Sequence, residues 1–266
     1  MSLRILAPGG SAISSIPEGW ANGVEWQTLE QQLGDCFFDI AAECPYGLPH
    51  KAIYRQGLFG PIPDHTMDAF LAAGFRRNGN TMYTMVCREC QGCVPIRLDP
   101  EEFVPNRSQR RTLVKNRDLT LATGPLQITP DRLALCDAFL RTRYPGRHST
   151  AIDYYSGFFV NAVTNTMEVT YRLEGRLVGV GIVDITLASL NAVYFYFDPA
   201  LARRGLGTYN ILQLVELCRR EEKEYLYLGY WIDRVAAMRY KAQFKPHSLL
   251  RGRSWQRVER EKHGTE

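Results

Sequence analysis

The chain has 266 residues, 45% of them hydrophobic and 23% charged, enough to bury a full core and to form one large or two ordinary domains. Its longest apolar run, Leu177 to Val183, falls far short of the roughly 20 residues that a membrane-crossing helix needs, so no membrane partner is expected. The formal net charge of +4 is modest, and where the charges sit carries more information than their sum.

In chain order, the opening "MSLRILAPGGSAISSIPEGW" has its apolar segment cut by Pro8, Gly9 and Gly10, which leaves no signal-peptide core and points to a cytoplasmic protein. The seven cysteines, odd in number and partly clustered, then read as reduced thiols or metal ligands in place of a disulfide framework, with Cys36, Cys136 and Cys218 as core residues. "MDAFLAAGFRRNGNTMYTMV" reads as a short helix, a turn at Asn78-Gly79-Asn80 and a strand. "MVCRECQGCVPIR" places Cys87, Cys90 and Cys93 at C-x2-C-x2-C spacing, and three thiols do not complete a tetrahedral site. In "FVPNRSQRRTLVKNR", Arg107, Arg110, Arg111, Lys115 and Arg117 occur with no acidic residue among them. This irregular, Gly-, Pro- and Cys-rich part, residues 1–125, is expected to form a smaller Cys-containing N-terminal domain.

Residues 126–266 are more regular. Pro130-Asp131 opens a helix carrying Leu133, Cys136, Phe139 and Leu140. "TMEVTYRLEGRLVGVGIVDIT" predicts a hairpin turning at Glu174-Gly175, and "SLNAVYFYF" a third strand ending at Asp198-Pro199. "ARRGLGTYNILQLVELCRREEK" predicts a glycine turn and a helix with Ile211, Leu214 or Val215, and Cys218 on one face, before the strand "YLYLG". Between Asp233 and Glu259 lies a second acid-free stretch, with Arg234, Arg239, Lys241, Lys245, Arg251, Arg253 and Arg257 interleaved with Tyr240, Phe244 and Trp255. Such stretches suit a polyanion that offers flat bases, and equally a solvated surface.

This order of elements resembles the acyltransferase core of the GNAT superfamily. The resemblance implies an α+β fold with a mixed, mainly antiparallel sheet flanked by helices. "RRGLGT", Arg203 to Thr208, stands where that superfamily holds the pyrophosphate of coenzyme A, but Ala202 occupies a position that usually carries Arg or Gln. A more extensive resemblance is to the aminoacyl-tRNA-protein transferases, carried by "SQRRTLVKNRDL", "VYFYFDPALARRGLGTYNILQ" and "YLYLGYWIDRVAAMRYKAQFKP", together with "FRRNGNTMY" and "CRECQGCVPIRL". It implies transfer of an amino acid, leucine first and arginine as the other donor, from charged tRNA to the N-terminal α-amine of a protein beginning with Asp or Glu, which marks that protein for N-degron-dependent proteolysis. The partners implied are aminoacyl-tRNA and acidic acceptor proteins, with a monomer favoured. The resemblance also pairs Cys44 with Cys87, Cys90 and Cys93, as a candidate iron-sulfur or zinc site. Two departures stand out: "CPYGLPH" has Gly47 inserted, and Met238 follows Val235-Ala236-Ala237 where the family often has a Lys.

Aminolysis of an ester by an amine needs neither ATP nor a metal, because an amide forms from a more reactive acyl donor. Positioning supplies much of the acceleration. The expected roles are Asp198 to orient the incoming ammonium and take its proton, Tyr230 to donate toward the leaving oxygen, and Lys241 with Arg204 at the tRNA 3′ end. Tyr230 is also placed to be a core aromatic, and Asp198 to cap the turn before Pro199. Arg76, Arg77 and Arg97 are candidates for the acceptor's carboxylate. Arg107, Arg110, Arg111, Gly205, Gly207, Trp231, Arg239 and Tyr240 are further candidates for substrate contact. A coenzyme A-dependent N-acetyltransferase accounts for the second half alone, and a non-catalytic nucleic-acid-binding module for the basic stretches alone.

Overall fold

A computed structural model describes residues 33–260 and one short strand pair, β1 (Ile5–Leu6) with β2 (Ala12–Ile13). The rest of the opening stretch read for an export signal lies outside the described residues. Among the described residues no helix is long and apolar enough to cross a membrane.

Strands β3 (Phe38–Glu43) and β4 (Lys51–Leu58) are joined through a turn in which Gly47 N donates to Cys44 O at 3.0 Å. Gly47 takes φ +69, so the inserted glycine supplies the left-handed residue this turn requires. Helix α1 (Asp64–Ala72) buries Met67, Phe70 and Leu71. Strands β5 (Arg76–Asn78) and β6 (Thr81–Met85) then form the hairpin expected around Gly79, and a four-stranded antiparallel sheet results in the order β3-β4-β6-β5.

The remaining elements are β7 (Val94–Leu98), α2 (Arg107–Lys115), β8 (Leu119–Pro125), α3 (Pro130–Arg143), a short α4 (Ala151–Tyr154), β9 (Asn165–Leu173), β10 (Arg176–Ile185), β11 (Ser189–Phe197), α5 (Leu206–Arg220), β12 (Tyr225–Trp231), α6 (Ala236–Arg239), β13 (His247–Arg251) and β14 (Ser254–Val258). Helix α2 starts on a reciprocal cap: Gln109 N donates to Asn106 Oδ1 at 2.9 Å and Asn106 N to Gln109 Oε1 at 2.8 Å. The β9–β10 turn has both central residues at positive φ, Glu174 at 50° and Gly175 at 81°, matching the strand twist. Helix α5 buries Ile211, Leu214, Val215 and Cys218, and Cys36 and Cys136 are also in the core.

The strands β7 to β14 form one eight-stranded sheet in the order β14-β13-β7-β12-β11-β10-β9-β8. All its neighbouring pairs are antiparallel except β11 and β12, which are parallel and joined across α5, as a parallel pair requires. The fold is therefore α+β with the mixed, mainly antiparallel sheet expected. Residue 125 does not separate the sheets. Strand β7 buries Ile96 and Leu98 between β12 and β13, and β8 forms the edge beside β9, so strands from before residue 125 complete the large sheet.

A buried ion pair ties the two sheets together. Asp184 on β10 receives Arg77 on β5 through Nε at 3.0 Å and Nη2 at 2.8 Å, and also Thr166 Oγ1 at 2.7 Å and Asn191 Nδ2 at 3.1 Å. Both charged side chains are completely buried. Removing one partner strands the other charge, so Arg77→Met should cost about 3–5 kcal/mol. Urea unfolding should show a lowered midpoint, much of it recovered when Asp184→Leu is added to Arg77→Met.

Candidate active site

The register between β12 and β7 slips between Tyr227 and Tyr230: Tyr227 faces Arg97 and Tyr230 faces Pro95, so β12 carries one more residue than its partner. Gly229 sits in this bulge at φ +77. Bulges of this kind re-aim backbone and side chains, and glycine provides the left-handed conformation. On the other side, the hydrogen-bonded register of β12 with β11 ends at Asn191 and Tyr227, where the parallel pair parts. The site occupies this opening.

A buried cation, Arg76, and a half-buried one, Lys241, meet the bulged strand. Arg76 on β5 donates through Nη2 to Gly229 O at 3.1 Å and through Nη1 to Phe75 O at 2.5 Å, and its guanidinium lies 5.5 Å from the Tyr230 ring centre and 5.6 Å from that of Tyr227. Its Nε is buried without a hydrogen-bond partner. Lys241 follows α6 and turns Nζ inward to donate to Tyr230 O at 2.9 Å. Burial, and then the charge of Arg76, push the Lys241 ammonium down to about 7. Among the described residues no carboxylate pairs with either cation: the charged-group influences on Arg76 come from tyrosines and that on Lys241 from Arg76.

Tyr230 is 4% exposed, and its hydroxyl donates to Gly74 O at 3.3 Å and is also hydrogen-bonded to Thr84. Burial holds the phenol up at about 12 against the opposing charge of Arg76, so it remains a hydrogen-bond donor at neutral pH. Tyr83 packs edge-on against it at 6.3 Å, and Tyr46 is close enough for the phenols to raise one another. The arrangement is a cluster of a buried guanidinium, a protonated phenol and an amine that is half neutral near neutral pH.

Several expected residues lie elsewhere. Arg77 is consumed by Asp184 and cannot serve the acceptor's carboxylate, because strand alternation sends it to the face opposite Arg76. Arg97 is held between Tyr225, 3.7 Å from the ring centre, and Trp255, at 4.2 Å, and donates to Tyr227 Oη at 3.2 Å. Asp198 accepts from Ala200 N at 3.0 Å and pairs with Arg176 at 2.7 Å, so its carboxylate caps the turn after β11 and is not free to orient an ammonium. Arg204 binds Asn116 Oδ1 at 3.0 Å, Lys115 O at 2.9 Å and Asp118, which fastens α5 to the end of α2 and leaves no free guanidinium for a tRNA end. Gly205 starts α5 at φ +71, a left-handed conformation that explains the glycine; Thr112 of α2 lies at ordinary contact distance, 3.6 Å from where a Cβ would stand. Gly207 lies in the first turn of α5 with open space around it.

The exposed face of α2 presents Arg107, Arg110 and Arg111, and the same surface continues to Lys115 and Arg117. Arg239 is exposed and anchored by Nε to Asp233 O at 2.8 Å; Tyr240 packs edge-on to Phe244, and half-buried Trp231 packs on the main core. The participants missed in the sequence are Gly229, Gly74, Thr84, Tyr83 and Tyr46. A glycine between two tyrosines inside a strand, "LGYW", is the signal for the bulge.

Cys44, Cys87, Cys90 and Cys93 lie near one another. Burial first, then Cys87, Cys44 and Cys90, raise the Cys93 thiol to about 12. Cys87 Sγ accepts from Ile53 N at 3.3 Å and Cys90 Sγ from Gly92 N at 3.4 Å. Even so, among the described residues no group of three or more Cys, His, Asp or Glu side chains is placed to hold a metal ion, and the chemistry below rests on other groups.

Comparison with known proteins agrees with this architecture. The family models for the N terminus and the C terminus of arginine-tRNA-protein transferase match residues 42–111 and 131–251. An aspartate/glutamate leucyltransferase of Thiobacillus denitrificans is 39% identical over 200 residues, covering 74% of this chain and 83% of that protein. Proteins of the same description from Chromohalobacter salexigens and Gluconacetobacter diazotrophicus are 37% and 35% identical, covering 71% and 82% of this chain and 78% and 86% of theirs. With both halves matched and most of its length shared with these relatives, the chain belongs to the aminoacyl-tRNA-protein transferase family, and it is an aminoacyltransferase.

Proposed function

We propose that this protein transfers leucine from leucyl-tRNA to the N-terminal α-amine of proteins whose first residue is Asp or Glu, marking them for proteolysis. The observation that carries the reading is the pair of buried Arg76 and half-buried Lys241, which have no carboxylate of their own among the described residues. An acidic first side chain supplies the missing charge. A guanidinium matches a carboxylate in shape and keeps its proton, so Arg76 binds the acceptor. The names of the relatives supply the donor.

Lys241 then handles the proton. The acceptor amine attacks the ester carbonyl, a C–N bond forms, and the bond from the carbonyl carbon to the ribose oxygen breaks. The amine's proton passes to neutral Lys241 Nζ, and the resulting ammonium returns a proton to the departing ribose oxygen. An amine poised at about 7 is suited to both transfers. Tyr230 packs against Arg76 and spends its proton on Gly74 O, so it shapes the site and does not donate to the charge developing on the carbonyl oxygen. The exposed arginines of α2 meet the tRNA backbone.

The direct test is transfer of labelled leucine from its tRNA to a peptide beginning with Asp or Glu. The same peptide with an acetylated N-terminus should stay unlabelled. Acetylation of the free peptide by acetyl-coenzyme A, with no charged tRNA acting as donor, would show an acetyltransferase instead.

Lys241 also sets a pH profile. Below about 7 it is protonated and cannot accept, so kcat/KM should climb as pH rises through 7 and flatten once the acceptor amine, with an ordinary value of about 7.7–8.0, is also neutral. Lys241→Met should lower turnover by about 10²–10⁴-fold and remove the lower inflection. Lys241→Arg should not rescue it, because a guanidinium keeps its proton; rescue would make Lys241 a charge contact.

Reversing Arg110 and Arg111 to Glu should weaken tRNA binding and make it less steeply salt-dependent, since fewer counterions are released. Filter binding across a salt series reads both effects, and an unchanged slope would make these arginines ordinary surface.

A further inference from the structure

A cavity of about 1140 Å³ opens between the four-stranded sheet and the strands β7 and β13. Its walls include Phe37, Phe75, Met85, Val86, Val94 and Leu250. Gly74 and Thr84 also line it, and these are the two residues that hold the Tyr230 hydroxyl. The cavity therefore runs along residues that bind the Tyr230 hydroxyl, and the phenol itself is not part of its lining. We infer that this cavity receives the aminoacyl group of the donor, and that its lining selects a leucyl over an arginyl side chain. The inference rests on the transfer reaction proposed above.

The selection follows from the charges. The one carboxylate among the described lining residues is Asp39, and both its oxygens are taken by Arg55, at 2.9 and 3.0 Å. Arg55 and Arg251 add positive charge to the same walls. An arginyl guanidinium entering here would leave water, find Asp39 already occupied by Arg55 and meet the further positive charge of Arg251. A leucyl side chain would exchange water for the apolar wall, which favours it in proportion to the area covered. The acceptor's acidic side chain belongs on Arg76, which is not part of this cavity's lining, so the two substrates' side chains are held apart.

The experiment compares leucyl-, methionyl- and arginyl-tRNA as donors to one Asp-initiated peptide, with wild type and with variants at Val86. Wild type should use leucine at least tenfold better than arginine. Val86→Trp should fill the cavity and lower kcat/KM for the leucyl donor by about 10–200-fold, the range that a poorly fitting apolar pocket produces, while the KM for the peptide stays unchanged. Val86→Ala should shift preference toward methionine, and Val86→Asp should raise arginine use relative to leucine. Titration with 3′-leucylamino-3′-deoxyadenosine in a calorimeter should show binding to wild type and its loss in Val86→Trp, with circular dichroism confirming that the variant is folded. If Val86→Trp does not fold, the donor ratios of Val86→Ala and Val86→Asp decide. If wild type transfers no amino acid from any tRNA, the proposed reaction fails. If it transfers leucine while no Val86 variant alters donor choice or binding of the adenosine probe, or if it prefers arginine, the cavity is not the donor pocket.

Discussion

Strand alternation at Arg76 and Arg77 is the constraint on which the site depends. Neighbouring residues of a strand face opposite ways, so one arginine can be structural only if the other looks elsewhere. Arg77 enters the large sheet at Asp184 and is fully satisfied there, also donating to Phe158 O at 2.8 Å. Arg76 is thereby driven toward the bulge of β12, where it finds backbone carbonyls and aromatic faces but no carboxylate. A one-residue slip of β5 would exchange the two and leave Asp184 without its cation, so the buried pair also holds the register of the small sheet.

The bulge at Gly229 and the parting of β11 from β12 are connected. A parallel pair that stayed in register to its ends would close the opening with hydrogen bonds. Here the pairing ends at Tyr227, two residues before Gly229. The carbonyls of Gly229 and Tyr230 become available, and each takes a cation. A side chain at position 229 would place its Cβ 3.7 Å from Lys241 Nζ on a backbone that L residues rarely adopt, so glycine keeps both the conformation and the space.

Local elements were legible wherever periodicity or turn chemistry spoke alone: the hairpin at Glu174-Gly175, the helices at Pro130 and Leu206, and strand β12. The acidic partners were not. Asp198 looked free because its partner, Arg176, lies 22 residues away on a neighbouring strand, and Arg204 looked like a phosphate ligand because its anchors on α2 are 86 to 89 residues distant. The insertion of β7 between β12 and β13 was hidden for the same reason, since sheet order depends on pairings that no local pattern encodes. Tyr230 and Lys241 lie together because the bulged strand makes the environment of both. For the arginines, residue type could not separate a satisfied guanidinium from an unsatisfied one.

What distinguishes the Arg76 and Lys241 pair from the molecule's other buried charges is the absence of compensation. Among the described residues, Arg77 has Asp184, and Arg132 has Glu168 in a nearly as buried setting on the neighbouring strand β9. The sequence thus supplies a carboxylate where a buried guanidinium serves the fold. Loss of water, and then the like charge of Arg76, bring the Lys241 ammonium down to about 7, and both act against folding. Stability alone would favour replacing one of the two cations with an apolar side chain. An anion that arrives from outside reverses the sign: it meets charges already stripped of water and held by carbonyls, with little reorganisation left to oppose binding. Once a carboxylate is bound, its charge also favours the protonated lysine, so acceptor binding should draw the amine's proton toward Lys241 at the moment the amine must lose it. Recognition of the acidic residue and activation of the amine beside it would then be one electrostatic event.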